Sequence, residues 1–156
     1  MPTTHGTAWI DTVDTALGLL LIELLTDLSA VTPTLSYSYP RHVVAKLQLP
    51  AVTRQCVKIQ AGGENDRVNA RLMVCTFSIR LHVGYGNDSI DGQQTMRLCN
   101  SVVNKVFANF DVMQVAGTTL VAIGDVRPNQ TFADSDSIGA EVEVTYMIEE
   151  QYTQEA

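Results

Sequence analysis

The sequence predicts an α+β domain: a twisted, mostly antiparallel sheet with two main helices packed on one side. Three stretches carry that expectation. Cys75, Phe77, Ile79, Leu81, Val83 and Tyr85 alternate with Thr76, Ser78, Arg80, His82 and Gly84, the two-residue period of a strand with one face on a core. Met96, Cys99, Val102, Val103, Val106, Phe107 and Phe110 recur at helical spacing. Val142, Val144, Tyr146 and Ile148 alternate again near the end of the chain.

The first helix is expected from Ala8 or Asp11 to about Leu28. Asp11 and Asp14 near its start suit the positive end of the helix dipole. Trp9, Val13, Ala16, Leu17, Leu20, Leu21, Leu24 and Leu28 form one broad face, and Ile10, Leu19, Ile22 and Leu25 widen it. A stripe that wide belongs to a deeply buried helix or to one shared with another subunit. The connector Ser29 to Pro40 follows, rich in Ser, Thr and Pro and expected to lie extended over the surface.

His42 to Leu49 alternates and reads as a strand, with Val43, Ala45, Leu47 and Leu49 on one face, closed by Pro50. Gln55 to Gln60 reads as a second short strand with Val57 and Ile59 facing inward. Gly62-Gly63-Glu64-Asn65-Asp66 is a turn that returns the chain into the long strand Val68 to Tyr85, completing an antiparallel hairpin. A typical strand has about five or six residues. This one begins apolar on both faces, around Leu72-Met73-Val74, the mark of a strand that outruns its own sheet or bends at a bulge.

The second helix is expected from Ser89 or Asp91 to Asn109. A short strand, Thr118 to Ile123, follows it. Next comes a loop from Gly124 to Gly139 with Pro128, Asp134 and Asp136, and then the closing strand Ala140 to Glu150. Residues 1–7 and 151–156 are expected to be loose ends of a single domain spanning 1–156. The core should be built from Leu17, Leu20, Leu24, Phe77, Ile79, Leu81, Val102, Val106, Val142 and Val144.

Composition bounds function. At 156 residues the chain is long enough to bury a core without disulfides or metal, and 46% hydrophobic content makes it globular. The formal net charge is −7, which disfavours phosphate contacts on the outside of nucleic acid and adhesion to anionic lipid. Arg67, Arg71, Arg80 and Arg97 are scattered and form no DNA-binding stripe. The apolar run Ala16 to Leu28 is interrupted by Glu23 and Asp27 and is short for a membrane span, and the N-terminus has no basic leader. The expectation is a chain made and kept in the cytoplasm.

No phosphate-binding glycine loop, dinucleotide fingerprint or zinc-protease motif is present. Cys56, Cys75 and Cys99 lack metal-ligand spacing and read as reduced thiols, Cys75 and Cys99 within the core. His42 and His82 have no nucleophile or carboxylate beside them in the sequence, and His5 lies on the terminus. The acidic stretch Asp134-Ser135-Asp136-Ser137, with Asp125 upstream, has the oxygen chemistry for calcium but not the ordered ligand spacing, and reads as a solvated loop. The expectation is therefore a protein that is not an enzyme and carries no cofactor or metal.

The order of these elements resembles a known family. The long N-terminal helix, the Pro-bounded strands, MVCTFSIRLHVGYG, NDSIDGQQTMRLCNSVVNKVF, TTLVAIGDV, a variable loop and GAEVEVTYMIEE together look like the tail terminator (tail completion) proteins of long-tailed bacteriophages. The resemblance covers nearly the whole chain and lies in architecture and pattern. It implies a homohexameric ring in the virion that caps the tail tube protein, meets a neck, connector or head-closure protein, and lets DNA pass without specific binding. A ring interface is expected from Leu19 and Ile22 on one side and Val68, Ala70, Leu72 and Val74 on the other. Gly62, Glu64, Asp66, Asp134 and Asp136 are expected at the lumen or surface. Three other readings stay open: a related phage neck or head-completion protein, a small ligand-binding α+β domain with Tyr37, His42, Arg80 and His82 at its pocket, and an adaptor that takes up a partner strand.

Overall fold

A computed structural model describes residues 7–27, 37–62, 70–86, 92–108 and 119–151. The order is helix α1 (Thr7–Asp27), strands β1 (Tyr37–Tyr39), β2 (Ala51–Gly62) and β3 (Ala70–Tyr85), helix α2 (Gly92–Ala108), and strands β4 (Thr119–Phe132) and β5 (Ser137–Gln151). They form one sheet in the order β1-β2-β3-β5-β4, with β1 parallel to β2 and every other pair antiparallel. The helices pack on one face of this sheet, so the α+β architecture read from periodicity is the observed one. Helix α1 lies against β1, β2 and α2, while α2 lies against β3, β5 and β4.

The core forms between that helix layer and one face of the sheet. Val13, Leu17, Leu20, Leu21 and Leu24 of α1 meet Phe77, Ile79 and Leu81 of β3, Val142 and Val144 of β5, and Leu98, Val102 and Val106 of α2, all buried. All ten expected core residues are among the buried set. Each large apolar side chain contributes about 1.5–3 kcal/mol on burial, an upper bound because the unfolded chain already hides some surface. Phe77 and Tyr146 meet edge to face at 6.3 Å between centroids. Burial pushes the Cys75 thiol up to about 12 and the Cys99 thiol to about 11, so both are protonated at neutral pH and pack as small hydrophobes.

One polar clamp ties the helix layer to the sheet. Arg54 of β2 donates from Nε to the Asp14 carbonyl at 3.1 Å and to its Oδ1 at 3.0 Å, and from Nη2 to Oδ2 at 3.3 Å. Its guanidinium lies over Gly18, where a Cβ would come within 2.6 Å of Nη2. A mid-helix glycine costs about 1 kcal/mol relative to alanine; here it opens the space that the clamp fills. Lys105, in the last turn of α2, reaches Glu23 of α1 at 3.4 Å.

Four local expectations are corrected. The alternating segment His42 to Leu49 is not a strand; it is a succession of turns, and β1 is Tyr37–Tyr39 instead. Pro40 and Pro50 bound the segment and remove backbone donors. Its burial is also out of phase with the pattern, since Val43 is 58% exposed while His42 is buried. Second, Val57 and Ile59 are not inward: they are 49% and 52% exposed. The β2–β3 register shifts between Cys56 and Lys58, a bulge at Val57, and Ile59 lies opposite Cys75 on the helix-bearing face but half open.

Third, the expected loop Gly124 to Gly139 is mostly strand. β4 continues to Phe132, turns through residues 133–136 and returns as β5. Pro128 is tolerated because β4 is the outermost strand, where a missing donor can face away from the ladder, and because it lies within the shift of register between Arg127 and Gln130. Asp136 closes the turn at φ 47°, a left-handed conformation that aspartate adopts more readily than most residues. Fourth, β3 does not outrun its sheet. Ala70 faces Gln151, and Leu72 faces both Gly62 and Glu149, so β2 and β5 lengthen with it. The hairpin turn with Glu64 and Asp66, Val68, and the outermost residues expected for each helix and the tail lie outside the described residues.

Candidate functional site

The sheet face away from the helices carries Thr76, Ser78, Arg80 and His82 of β3, the polar phase of the long strand. Alternation places this row off the core and does not say what covers it. Ser78, His82, Thr53 and Ser137 are buried, and so is His42. Residues 40–50 fold back across this end of the sheet, with the His42 amide donating to Gln55 Oε1 at 3.2 Å and the Gln48 amide to the Tyr39 hydroxyl at 3.2 Å. Phe132 closes the other side, its ring 5.0 Å from that of His82 and 4.7 Å from the Arg80 guanidinium.

Inside this enclosure five side chains form one hydrogen-bonded chain. His42 Nδ1 meets Thr53 Oγ1 at 2.8 Å, and Thr53 Oγ1 meets His82 Nε2 at 2.8 Å. His82 Nδ1 meets Ser137 Oγ at 2.6 Å, and Ser137 meets Ser135 Oγ at 2.8 Å. His42 Nε2 is buried with no hydrogen-bond partner among the described residues. A hydroxyl donates once, so the chain must run in one direction with both rings neutral. The direction that leaves an acceptor rather than an N–H unpartnered has His42 Nδ1–H donating to Thr53, Thr53 to His82 Nε2, and His82 Nδ1–H to Ser137.

Burial, helped by the Arg80 charge, lowers the His42 pKa to about 4; burial, then the neighbouring His42 and Arg80, lowers His82 to about 4. Unfolded, both titrate near 6.5. The folded values are depressed, so between about pH 4 and 6.5 the unfolded chain binds more protons. This contribution to stability is therefore complete above pH 6.5 and is lost as pH falls toward 4, with a slope approaching about 1.4 kcal/mol per pH unit for each ring. Urea unfolding at about pH 7 and about pH 5 checks this: the midpoint is expected to be lower at the acid value, and an unchanged midpoint contradicts it.

Beside the histidines lies a ladder of charge. Arg80 bonds Asp134 at 2.9 Å and Glu141 at 3.2 Å, Ser78 donates to the same Glu141 oxygen at 3.1 Å, and Arg127 contacts Glu141, Asp125 and Glu143. Against the cost of burial, the Arg80 hydrogen bond and charge hold the Asp134 carboxyl below its ordinary value. The acidic stretch is thus part of an ion-pair network, with Asp134 and Asp125 each matched to an arginine. Among the described residues, no three His, Cys, Asp or Glu side chains are gathered as a metal-binding group.

The side chains expected at a pocket are partly brought together. His42 and His82 converge on Thr53 beside Arg80, which is held by Asp134 and Glu141, and His42 Nε2 is left without a partner among the described residues, while Tyr37 sits on the edge strand, partly exposed. Thr53, Ser135 and Ser137, the partners that complete the histidine chain, were not singled out together. No local motif signals them, because they are contributed by β2, the β4–β5 turn and β5. The expectation that no nucleophile stands beside His82 holds in sequence but not in space, where Ser137 is within hydrogen-bond reach, although both are fully buried.

The expected interface residues fall in two places. Leu19 and Ile22 lie on the outer side of α1, 63% and 53% exposed. Ala70, Leu72 and Val74 lie in β3 at the end where β2 reaches Gly62, and Val74 is partly buried. On that same hairpin Val57 and Ile59 are also exposed. On α2, Met96 and Phe107 are exposed on either side of the partly buried Val103; residues 7 and 4 apart align along one flank of a helix. Among the described residues no helix is long and apolar enough to cross a membrane.

The fold and its surfaces define an α+β domain with one helix-covered sheet face and one polar face. No family model and no curated protein matches the chain.

Proposed function

We propose that this chain is a structural virion protein of the tail-terminator kind: a homohexameric ring that caps a phage tail tube and joins it to a neck or head-closure protein. The observation that carries the reading is a pair of open apolar patches on two different elements of one chain, Leu19 and Ile22 on α1 and Val57 and Ile59 on the β2–β3 hairpin. A cyclic ring uses heterologous contacts, so each subunit must present two different, complementary patches. The hairpin of one subunit, at the end that carries Ala70, Leu72 and Val74, packs on α1 of the next. The net charge of −7 suits a ring that DNA traverses without sticking. Within the acidic turn Asp134 is balanced by Arg80, which leaves Asp136 as the better candidate for a lumen or surface charge. A related neck or head-completion role shares the same ring chemistry. The function requires no catalysis, cofactor or membrane.

Native mass measurement tests the ring. The unaltered chain is expected as a hexamer, alone or on addition of tail tube protein. Leu19→Glu with Ile22→Lys is expected to give monomers whose melting temperature stays within a few degrees of the parent, because exposed substitutions change stability by about 0.5 kcal/mol or less. A monomeric parent under both conditions, or full rings from the double variant, overturns the assignment of this interface.

A further inference from the structure

The segment 40–50 crosses the polar face of the sheet between two prolines, carries Arg41, His42 and Lys46, and contains no acidic residue. Its one deeply buried side chain is His42. That ring enters the protein with one nitrogen bonded to Thr53 and the other buried without a partner.

We propose that the chain His42–Thr53–His82–Ser137–Ser135 is a proton-operated latch, which holds residues 40–50 against the sheet while both rings are neutral and releases them when a proton is taken up. The count of donors and acceptors makes it so. The lone pair left free in the neutral state is His42 Nε2, and a proton arriving from solvent binds there. The result is a buried cationic N–H with no acceptor. If the proton goes to His82 instead, both rings donate to Thr53, and the Thr53 hydroxyl hydrogen loses its acceptor. Either way one buried donor is orphaned beside a new positive charge.

The surrounding charges do not rescue that state. The groups facing the rings are Arg80 from β3, Glu141 from β5 and Asp134 from the β4–β5 turn. Both carboxylates are already bonded to Arg80, whose own charge opposes another cation. β2 contributes only Thr53 and Gln55 at this end, both neutral. The depressed titration of both rings agrees with this geometry. Movement of residues 40–50 into water restores hydration to His42 and takes its ring away from the Arg80 charge. The core on the other face of the sheet contains none of these groups, so the helices need not follow.

Hydrogen exchange on the whole chain tests the latch. The reporters are the amides of Tyr37, His42 and Gln48, bonded to Pro50 O, Gln55 Oε1 and the Tyr39 hydroxyl. Between about pH 7.5 and about pH 4.5, after correction for intrinsic rates, their protection is expected to fall by about tenfold or more while that of Leu98 to Val106 in α2 is kept. The reporters staying protected, or losing protection together with α2, overturns the proposal. His42→Asn keeps an amide near the Nδ1 position and removes one of the two titrating rings while leaving His82, so the acid loss of protection at the reporters is expected to shrink without vanishing, and an undiminished loss overturns the proposal. Should that variant fail to fold, ring titration of the parent by NMR decides: opening must share its midpoint with His42 or His82, and opening without a ring titrating overturns the latch.

Discussion

Ile79→Asp is expected to abolish cooperative unfolding altogether. Ile79 is fully buried in the middle strand of the sheet, opposite Arg54 on one side and Val142 on the other, with the helix layer above it. The substitution removes a side chain whose burial is worth about 1.5–3 kcal/mol. It adds a carboxyl group that must stay protonated or sit charged in an apolar enclosure, at a further cost of several kcal/mol. A domain of this kind is stable by about 5–15 kcal/mol, so the two losses together consume much or all of it. Ile79→Val leaves a small cavity and should cost only about 1 kcal/mol. Circular dichroism during thermal unfolding separates the outcomes: no sigmoidal transition for the aspartate variant, a modestly lowered one for the valine variant. A folded Ile79→Asp protein with an unchanged transition would mean the strand's phase is reversed.

That phase was legible because β3, α1, α2 and β5 each bury one face against a common core, and period then fixes which residues point inward. The misreadings share a different cause. Residues 40–50 alternate by residue type, but their burial is set by what His42 finds in β2 and β3, and no local pattern encodes that. The stretch Gly124 to Gly139 looks like a loop because it holds Pro128, Asp134 and Asp136. It pairs as strand because β5 offers a ladder and Arg80 and Arg127 take up the charges. The cover over the polar phase of β3 is hidden from the pattern for the same reason: alternation tells which residues leave the core, not what covers them. The histidine chain draws on β2, β3, the β4–β5 turn, β5 and the 40–50 segment, and exists only when all five are assembled.

Gly139→Ala is expected to be the most damaging alanine substitution among the described glycines. Gly139 faces His82 across the β3–β5 ladder, next to the shift in register between His82 and Gly84. A Cβ at Gly139 would overlap the carbonyl oxygen of Leu81 and lie 2.8 Å from its carbonyl carbon. The obstacle is backbone in the central strand, not the end of a flexible side chain, so relief requires the two strands to part. Overpacking in a core costs about 1–3 kcal/mol when side chains can adjust, and a backbone clash should reach or exceed the top of that range. The strands would part where Ser137 meets His82, so that bond should lengthen, water should enter, and His82 should titrate closer to its ordinary 6.5. Gly124→Ala is the control: there a Cβ meets the Glu143 Cβ at 3.3 Å, a contact a small shift relieves. Urea unfolding and the NMR titration of His82 read both effects, and a Gly139→Ala protein of parental stability with His82 still neutral at about pH 5 would show that the ladder yields at this bulge without disturbing the histidine chain.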